Sequence, residues 1–311
     1  MPEEDYVWLP RQDVLNYDEM VRIADAFLVA GVDRIRITGG EPLLRRNLPA
    51  LVEPLSARPG LQDLALTTNG VLLAAQARAL RAAGLHRLTV SLDTLRRERF
   101  IQISRSDALA SVLAGIDAAI AAGFPPPKLD TVLIRGFNDD ELIPLLDFAR
   151  GLDAEIRFIE YMDGGGATHW SIDQVVSRHE ILARLEEHYG HVTPIQESSS
   201  APAVRYQLPD GATFGIIAST TEPFCRTCDR SRLTADGVWL LCLYALNGTD
   251  LRGPLRAGAT RDDLRQLIET VWKWRIDRGA ESHLASKRRD VLIPIAALKR
   301  NTHLEMHTRG G

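Results

Sequence analysis

Cysteine is nearly absent from this chain: 311 residues hold three, and none precedes Cys225. An odd count, with two of them spaced as C-x-x-C, argues against a secreted disulfide framework and for metal ligation or redox chemistry in a reducing compartment. Basic runs are missing too, and the formal net charge is −4, so nothing in the charge balance calls for nucleic acid or an anionic membrane. The longest apolar helical stretch, Ala108 to Ala122, is interrupted by Asp117. The opening Met-Pro-Glu-Glu-Asp is acidic where a signal peptide is basic and then apolar. Together these absences predict a cytoplasmic protein. No phosphate loop of the Gly-x-x-x-x-Gly-Lys-Ser/Thr type occurs, and there is no low-complexity block.

What is present is alternation. Short β-rich runs, Arg34 to Thr38, Asp63 to Thr67, Arg87 to Ser91, Lys128 to Ile134 and Glu155 to Glu160, alternate with helical stretches at 18–30, 45–57, 71–83, 107–122, 139–150 and 177–188. This pattern predicts parallel strands joined by right-handed crossovers, in a barrel or a doubly wound sheet. Near Ser198 to Pro202 the character changes to shorter β-rich pieces, the cysteines, a helix near 260–276 and a basic tail. The expected division is residues 1–197 and 198–311.

Alternate residues of a strand face opposite sides. One side reads Ile35, Ile37, Leu64, Leu66, Leu88, Val90, Leu129 and Leu133, which suits packing under helices. The other reads Arg34, Arg36, Thr67, Thr89, Ser91, Lys128 and Asp130. Cations inside a barrel are costly unless an anion occupies the lumen; the alternative is internal pairing, such as Arg36 with Asp130 or Glu160. Thr38-Gly-Gly-Glu-Pro42 follows the first of these strands, lets the backbone approach a ligand and sets Glu41 at the C-terminal mouth of the sheet.

Cys225 and Cys228 are followed, after thirteen residues, by Cys242, with Ala235-Asp-Gly237 as the turn that returns it. Three thiolates form a ligand set for a soft metal or an iron–sulfur cluster with one position open. A structural zinc with a distant histidine satisfies the same spacing. Arg230 and Arg232, two apart on an expected strand, suit a phosphate-bearing ligand beside the site better than they suit zinc.

The ordered segments Ile35-Arg-Ile-Thr-Gly-Gly-Glu-Pro42, Leu66-Thr-Thr-Asn-Gly70, Val90-Ser-Leu-Asp93, Gly136-Phe-Asn-Asp-Asp140 and Arg157-Phe-Ile-Glu-Tyr-Met162, with the cysteine segment and the terminal Gly310-Gly311, resemble the GTP 3',8-cyclase family of radical S-adenosylmethionine enzymes. The resemblance spans the whole chain. It implies an incomplete TIM-type α/β barrel and two 4Fe-4S clusters. One cluster cleaves S-adenosylmethionine to a radical that abstracts the 3'-hydrogen of GTP; the product is 3',8-cyclo-GTP, a molybdenum cofactor precursor. By matching position Cys225, Cys228 and Cys242 ligate the second cluster, which holds the guanine. Arg36, Thr67, Lys128, Arg230 and Arg232 contact GTP, Gly40, Ser91 and Met162 line the S-adenosylmethionine site, and Gly310 and Gly311 reach into the active site. The family further implies an electron donor, a homodimer and hand-over to the cyclic pyranopterin monophosphate synthase step.

Two departures stand out. The family's first cluster is held by a Cys-x3-Cys-x2-Cys loop after the first barrel strand, and neither that loop nor the strand is in this sequence. The expectation is a native protein extending upstream of Met1, with the 311-residue chain alone inactive. The alternatives are a GTP- or cluster-binding module without radical chemistry, and a zinc-stapled α/β barrel of other function. Asp130 stands where the family usually has asparagine, and its charge is expected to pair with Lys128 and weaken that lysine's grip on phosphate.

Overall fold

Strand–helix alternation produces the expected parallel sheet. The computed structural model of the chain describes residues 9–162, 170–196, 200–285 and Thr308. The first elements are α1 (Tyr17–Val29), β1 (Arg34–Ile37), α2 (Pro49–Ser56), β2 (Asp63–Thr68), α3 (Leu73–Ala82) and β3 (Arg87–Ser91). Next come α4 (Arg97–Ser104), α5 (Leu109–Ala121), β4 (Lys128–Leu133), α6 (Leu142–Gly151), β5 (Ile156–Glu160) and α7 (Arg178–Tyr189). Strands β6 (Thr193–Pro194), β7 (Val204–Gln207) and β8 (Thr213–Ile217) follow. The remainder is β9 (Arg232–Leu233), β10 (Val238–Leu240), β11 (Thr249–Asp250), α8 (Arg252–Arg256), α9 (Arg261–Lys273) and α10 (Gly279–Leu284).

The large sheet runs β1-β2-β3-β4-β5-β8-β7-β6. Strands β1 to β5 and β8 are mutually parallel, and β7 and β6 add an antiparallel edge. Two strands beyond residue 198 thus belong to the same sheet. The sheet does not close on itself among the described residues, and its apolar side chains lie on one face, as in a partial barrel.

Its helix-facing side is the apolar set predicted from alternation. Leu64, Leu66, Leu88, Val90, Leu129 and Leu133, continued by Ile156, Phe158, Phe214 and Ile216, are buried against Val52, Leu80, Val112, Ile116, Leu146 and Ile181. Each such side chain stabilises the fold by roughly 1.5–3 kcal/mol. A second core joins α1 to the C-terminal lobe through Leu15, Ile23, Trp239, Leu255, Leu264 and Ile268. Helix α1 starts at a capping box, in which Asn16 Oδ1 accepts from the Glu19 N–H and Glu19 accepts from the Asn16 N–H. Glu19 also receives Arg256, tying α1 to α8.

Helix α4 was not expected: it opens Arg-Glu-Arg and buries only Phe100, so it carries too little apolar periodicity to be read. Helices α3 and α5 cross where a glycine is required. A Cβ on Gly115 would lie 2.5 Å from the Gly70 carbonyl oxygen, a backbone atom that cannot swing away. Gly115→Ala is expected to destabilise the chain by about 1–2 kcal/mol, overpacking outweighing the gain in helix propensity. Urea denaturation measures this, and a stabilised variant would refute the close crossing.

Candidate active site in the barrel lumen

The concave face of the sheet carries the polar set. Arg36 of β1 donates to Thr67 Oγ1 on β2 at 3.1 Å and to Thr89 Oγ1 on β3 at 3.2 Å, so the predicted lumen face exists and brings Arg36 and Thr67 into contact. Neither proposed internal pairing of Arg36 is made as a hydrogen bond. Glu160 has the parity of Ile156 and Phe158, and therefore points to the helix side. There it is fully buried and accepts from the N–H groups of Arg178, Thr220 and Thr221 and from Thr221 Oγ1.

Lys128 does not pair with Asp130 as expected; its Nζ donates to Glu155 at 2.9 Å. Glu155 also accepts from Arg157 at 3.2 Å and from Arg205 of β7 at 2.7 Å. Burial raises the Glu155 carboxyl, but Lys128, Arg157 and Arg205 outweigh it and leave the group below its ordinary range. Burial lowers the Lys128 ammonium, and Arg157 adds to the effect. Asp63 pairs with Arg87 through both carboxylate oxygens. Arg36, Arg87, Lys128, Arg157 and Arg205 thus share the concave face with the carboxylates Asp63, Asp130 and Glu155, and Arg34 lies at its exposed edge beside Asp33.

Sequence reading omitted Arg157, although its alternation with Phe158 could have placed it. Arg205 had no such signal, because the antiparallel pairing of β7 with β8 is set by tertiary packing.

At the C-terminal ends of the parallel strands lie the residues expected to form the mouth. Gly40 follows β1, Ser91 ends β3, and Met162 follows β5; the first two are exposed and Met162 is half-buried. Glu41 is not a free carboxylate here: it accepts from Thr68 Oγ1, the Leu43 N–H and the Asn69 N–H, which joins the loops after β1 and β2. Asp93, beyond β3, accepts from the Val132 N–H; burial, against that bond, pushes its carboxyl up to about 6. Gly310 and Gly311 lie outside the described residues.

The cysteines sit in the C-terminal lobe. Cys225 and Cys228 bound a 3-10 turn, and the β9–β10 hairpin pairs Arg232 with Leu240. Its turn is the predicted one, with Gly237 at φ +86. Strand β9 is only two residues long, so Arg230 precedes it rather than sharing its face with Arg232. Arg230 instead lies over the Phe224 ring at 4.7 Å and reaches Cys228 Sγ at 3.7 Å.

Arg275, which no sequence signal marked, donates to the Cys228 carbonyl at 2.5 Å, to Cys228 Sγ at 3.5 Å and to the Arg230 carbonyl at 3.1 Å. Burial raises the Cys228 thiol, but the Arg230 N–H and guanidinium and the Arg275 guanidinium outweigh it, so the thiol sits below its ordinary value. All three thiols are half-buried and unbridged, and a Cβ at Gly279 would clash with Tyr244 Cβ and lie 3.2 Å from Cys242 Sγ, so a side chain there would crowd the segment that carries Cys242. Among the described residues no three His, Cys, Asp or Glu side chains converge as a metal-binding group. The donor chemistry nonetheless fits a thiolate-ligated iron–sulfur cluster: three soft donors in no disulfide, one of them biased towards thiolate by two arginines. The residues before Cys225 offer no thiol and do not fit a second cluster of that kind.

A parallel α/β partial barrel with a polar concave face defines the class, and comparison with known proteins agrees: the Radical SAM superfamily model matches residues 5–149, and Molybdenum Cofactor Synthesis C matches residues 154–280. Superfamily membership carries with it a 4Fe-4S cluster and S-adenosylmethionine. The chain is 58% identical to GTP 3',8-cyclase 3 of Mycobacterium bovis over 315 residues, covering 100% of this chain and 83% of that protein. It is 58% identical to GTP 3',8-cyclase 1 of Mycobacterium tuberculosis, covering 100% of this chain and 88% of the relative. The Acidothermus cellulolyticus GTP 3',8-cyclase is 47% identical over 292 residues, covering 90% and 80%. The chain belongs to the GTP 3',8-cyclase family of radical SAM enzymes. Among the described residues no helix is long and apolar enough to cross a membrane.

Proposed function

We propose that the lumen binds GTP for the GTP 3',8-cyclase reaction of molybdenum cofactor biosynthesis, with the triphosphate on the concave face of the sheet. The observation that carries this reading is the excess of cations there. Arg36, Lys128, Arg157 and Arg205 are held by strand register and by Glu155 before any ligand arrives, so little ordering remains to oppose binding. Charge-assisted hydrogen bonds to phosphate contribute roughly 1.5–3 kcal/mol each. Arg36 supplies a planar fork, Lys128 a point charge, and Thr67 a hydroxyl beside Arg36.

Cys225, Cys228 and Cys242 would hold a 4Fe-4S cluster, which when bound offers an iron with one unfilled coordination position to a donor atom of the guanine. Arg230, which reaches Cys228 Sγ, and Arg232 on β9 would contact the nucleotide, while Arg275 positions the Cys228 loop through its carbonyl and sulfur contacts. Gly40, Ser91 and Met162 form the S-adenosylmethionine surface at the mouth, where exposed backbone at Gly40 permits close approach. By the family's pattern Gly310-Gly311 would reach into the active site as a side-chain-free tail. A homodimer and direct transfer of product to the next enzyme belong to the same reading. Radical generation is assigned to no residue of this chain, since no thiol precedes Cys225.

The test is spectroscopic. After anaerobic reconstitution with iron and sulfide, the reduced protein is expected to give an iron–sulfur electron paramagnetic resonance signal that GTP changes. A colourless zinc protein, or a signal indifferent to GTP, would overturn the proposal.

A further inference from the structure

Asp130, the third residue of β4, faces the lumen between Ser91 of β3 and Arg157 of β5, its register partners. Its Oδ1 is sealed from solvent and accepts no hydrogen bond. Buried carboxylate oxygens are normally paired, so an orphan on a ligand-facing wall calls for a reason. The charged groups acting on Asp130 are Arg157 of β5, Arg36 of β1 and Lys128 of its own strand, with Glu155 ahead of β5 as a neighbouring carboxylate. Asp93, beyond β3, interacts with it as a second carboxylate. The three cations are committed elsewhere: Arg36 to the Thr67 and Thr89 hydroxyls, Lys128 and Arg157 to Glu155. Asp130 therefore feels them through space while its own oxygen stays open to a proton.

We propose that Asp130 is the proton-accepting counterion of the lumen: binding of a nucleoside triphosphate drives a proton from solvent onto its carboxylate, so that nucleotide affinity is coupled to proton uptake. The inference rests on the reading that GTP occupies this lumen. Without a ligand, the ionised carboxylate offsets part of the positive potential of Arg36, Arg157 and Lys128. An arriving polyanion draws those cations to itself and adds negative charge beside Asp130, and both changes favour the protonated form. Burial already biases the group this way, holding its carboxyl above the ordinary range against the pull of Arg157, Arg36 and Lys128. Protonation removes a like-charge repulsion and turns an orphaned acceptor into an O–H that can donate to a phosphate oxygen. The sign follows from linkage: a proton taken up on binding makes affinity rise as pH falls.

The test uses calorimetric titration of the whole chain with GTP, at several pH values between about 6 and 8 and in buffers of different ionisation enthalpy. The wild-type protein is expected to take up about one proton more per GTP bound than Asp130→Asn, an isosteric variant whose side chain does not ionise in this range. Titration of the GTP phosphates is common to both proteins and cancels. Asp130→Asn should also bind GTP about tenfold more tightly at neutral pH, with a flatter pH dependence. Asp130→Ser should lose the same proton, so that a folding defect in one variant does not decide the outcome. Equal proton uptake and equal affinity in wild type and variants overturn the inference while leaving the GTP site standing. Failure of GTP to bind any of them overturns the site itself, and the inference with it.

Discussion

Glu160→Ala is expected to destabilise the folded chain by about 3–5 kcal/mol, among the largest effects of any single substitution here. Glu160 ends β5 with its carboxylate fully buried. Oε1 accepts from the Arg178 N–H at 2.8 Å and Thr221 Oγ1 at 2.6 Å, and Oε2 from the N–H groups of Thr220 at 3.0 Å and Thr221 at 2.7 Å. The Arg178 N–H belongs to the first turn of α7, where the helix dipole favours an anion. Alanine would leave three backbone donors and a hydroxyl, all part-buried, without their acceptor, at roughly 1–3 kcal/mol each before relaxation. Glu160→Gln keeps the volume but presents an NH2 where donors already converge, so a loss of about 2–3 kcal/mol is expected from it. Guanidinium denaturation gives both values. A loss under about 1 kcal/mol for alanine would show that the carboxylate does not hold this junction together. The junction also matters for function, because Thr220 and Thr221 lead directly to Cys225, and loosening them is expected to lower iron incorporation.

Cys228→Ser is expected to reduce iron and acid-labile sulfide after reconstitution from about four of each per chain to less than one. Serine oxygen is a hard donor and a poor substitute for thiolate on iron. Cys228 is also the cysteine on which Arg230 and Arg275 converge, so the same change removes the sulfur these arginines hold. The fold should survive. The large sheet has its own apolar core, separate from the one under Trp239, and circular dichroism should be unaltered. Undiminished iron in the serine variant would exclude Cys228 from the ligand set.

Strands β1 to β5 were readable because half-buried strands announce themselves locally: apolar and polar residues alternate, and turn residues bound each run. The same alternation separated Leu64 and Leu66 from Thr67, and Leu88 and Val90 from Thr89, so the polar face was visible before any strand was paired. Glu160 was misjudged as a partner for Arg36 although its parity with Phe158 puts it on the helix side. Helix α4 escaped because Phe100 is its one buried residue. Arg205 and Arg275 escaped for a stronger reason. Their partners, Glu155 and Cys228, lie 50 and 47 residues away along the chain, and no local pattern encodes such distances.

From residue order alone came the family, the soft donor set at Cys225, Cys228 and Cys242, and the charge of the face that Arg36 and Lys128 share, because each depends on residue type and short-range periodicity. Tertiary structure alone decided which charges meet: that Lys128 turns to Glu155 instead of Asp130, that β7 brings in Arg205, and that one oxygen of Asp130 is left without a donor. Hydrogen bonds and ion pairs act over a few ångströms, and which groups come that close is set by register between strands far apart in the chain.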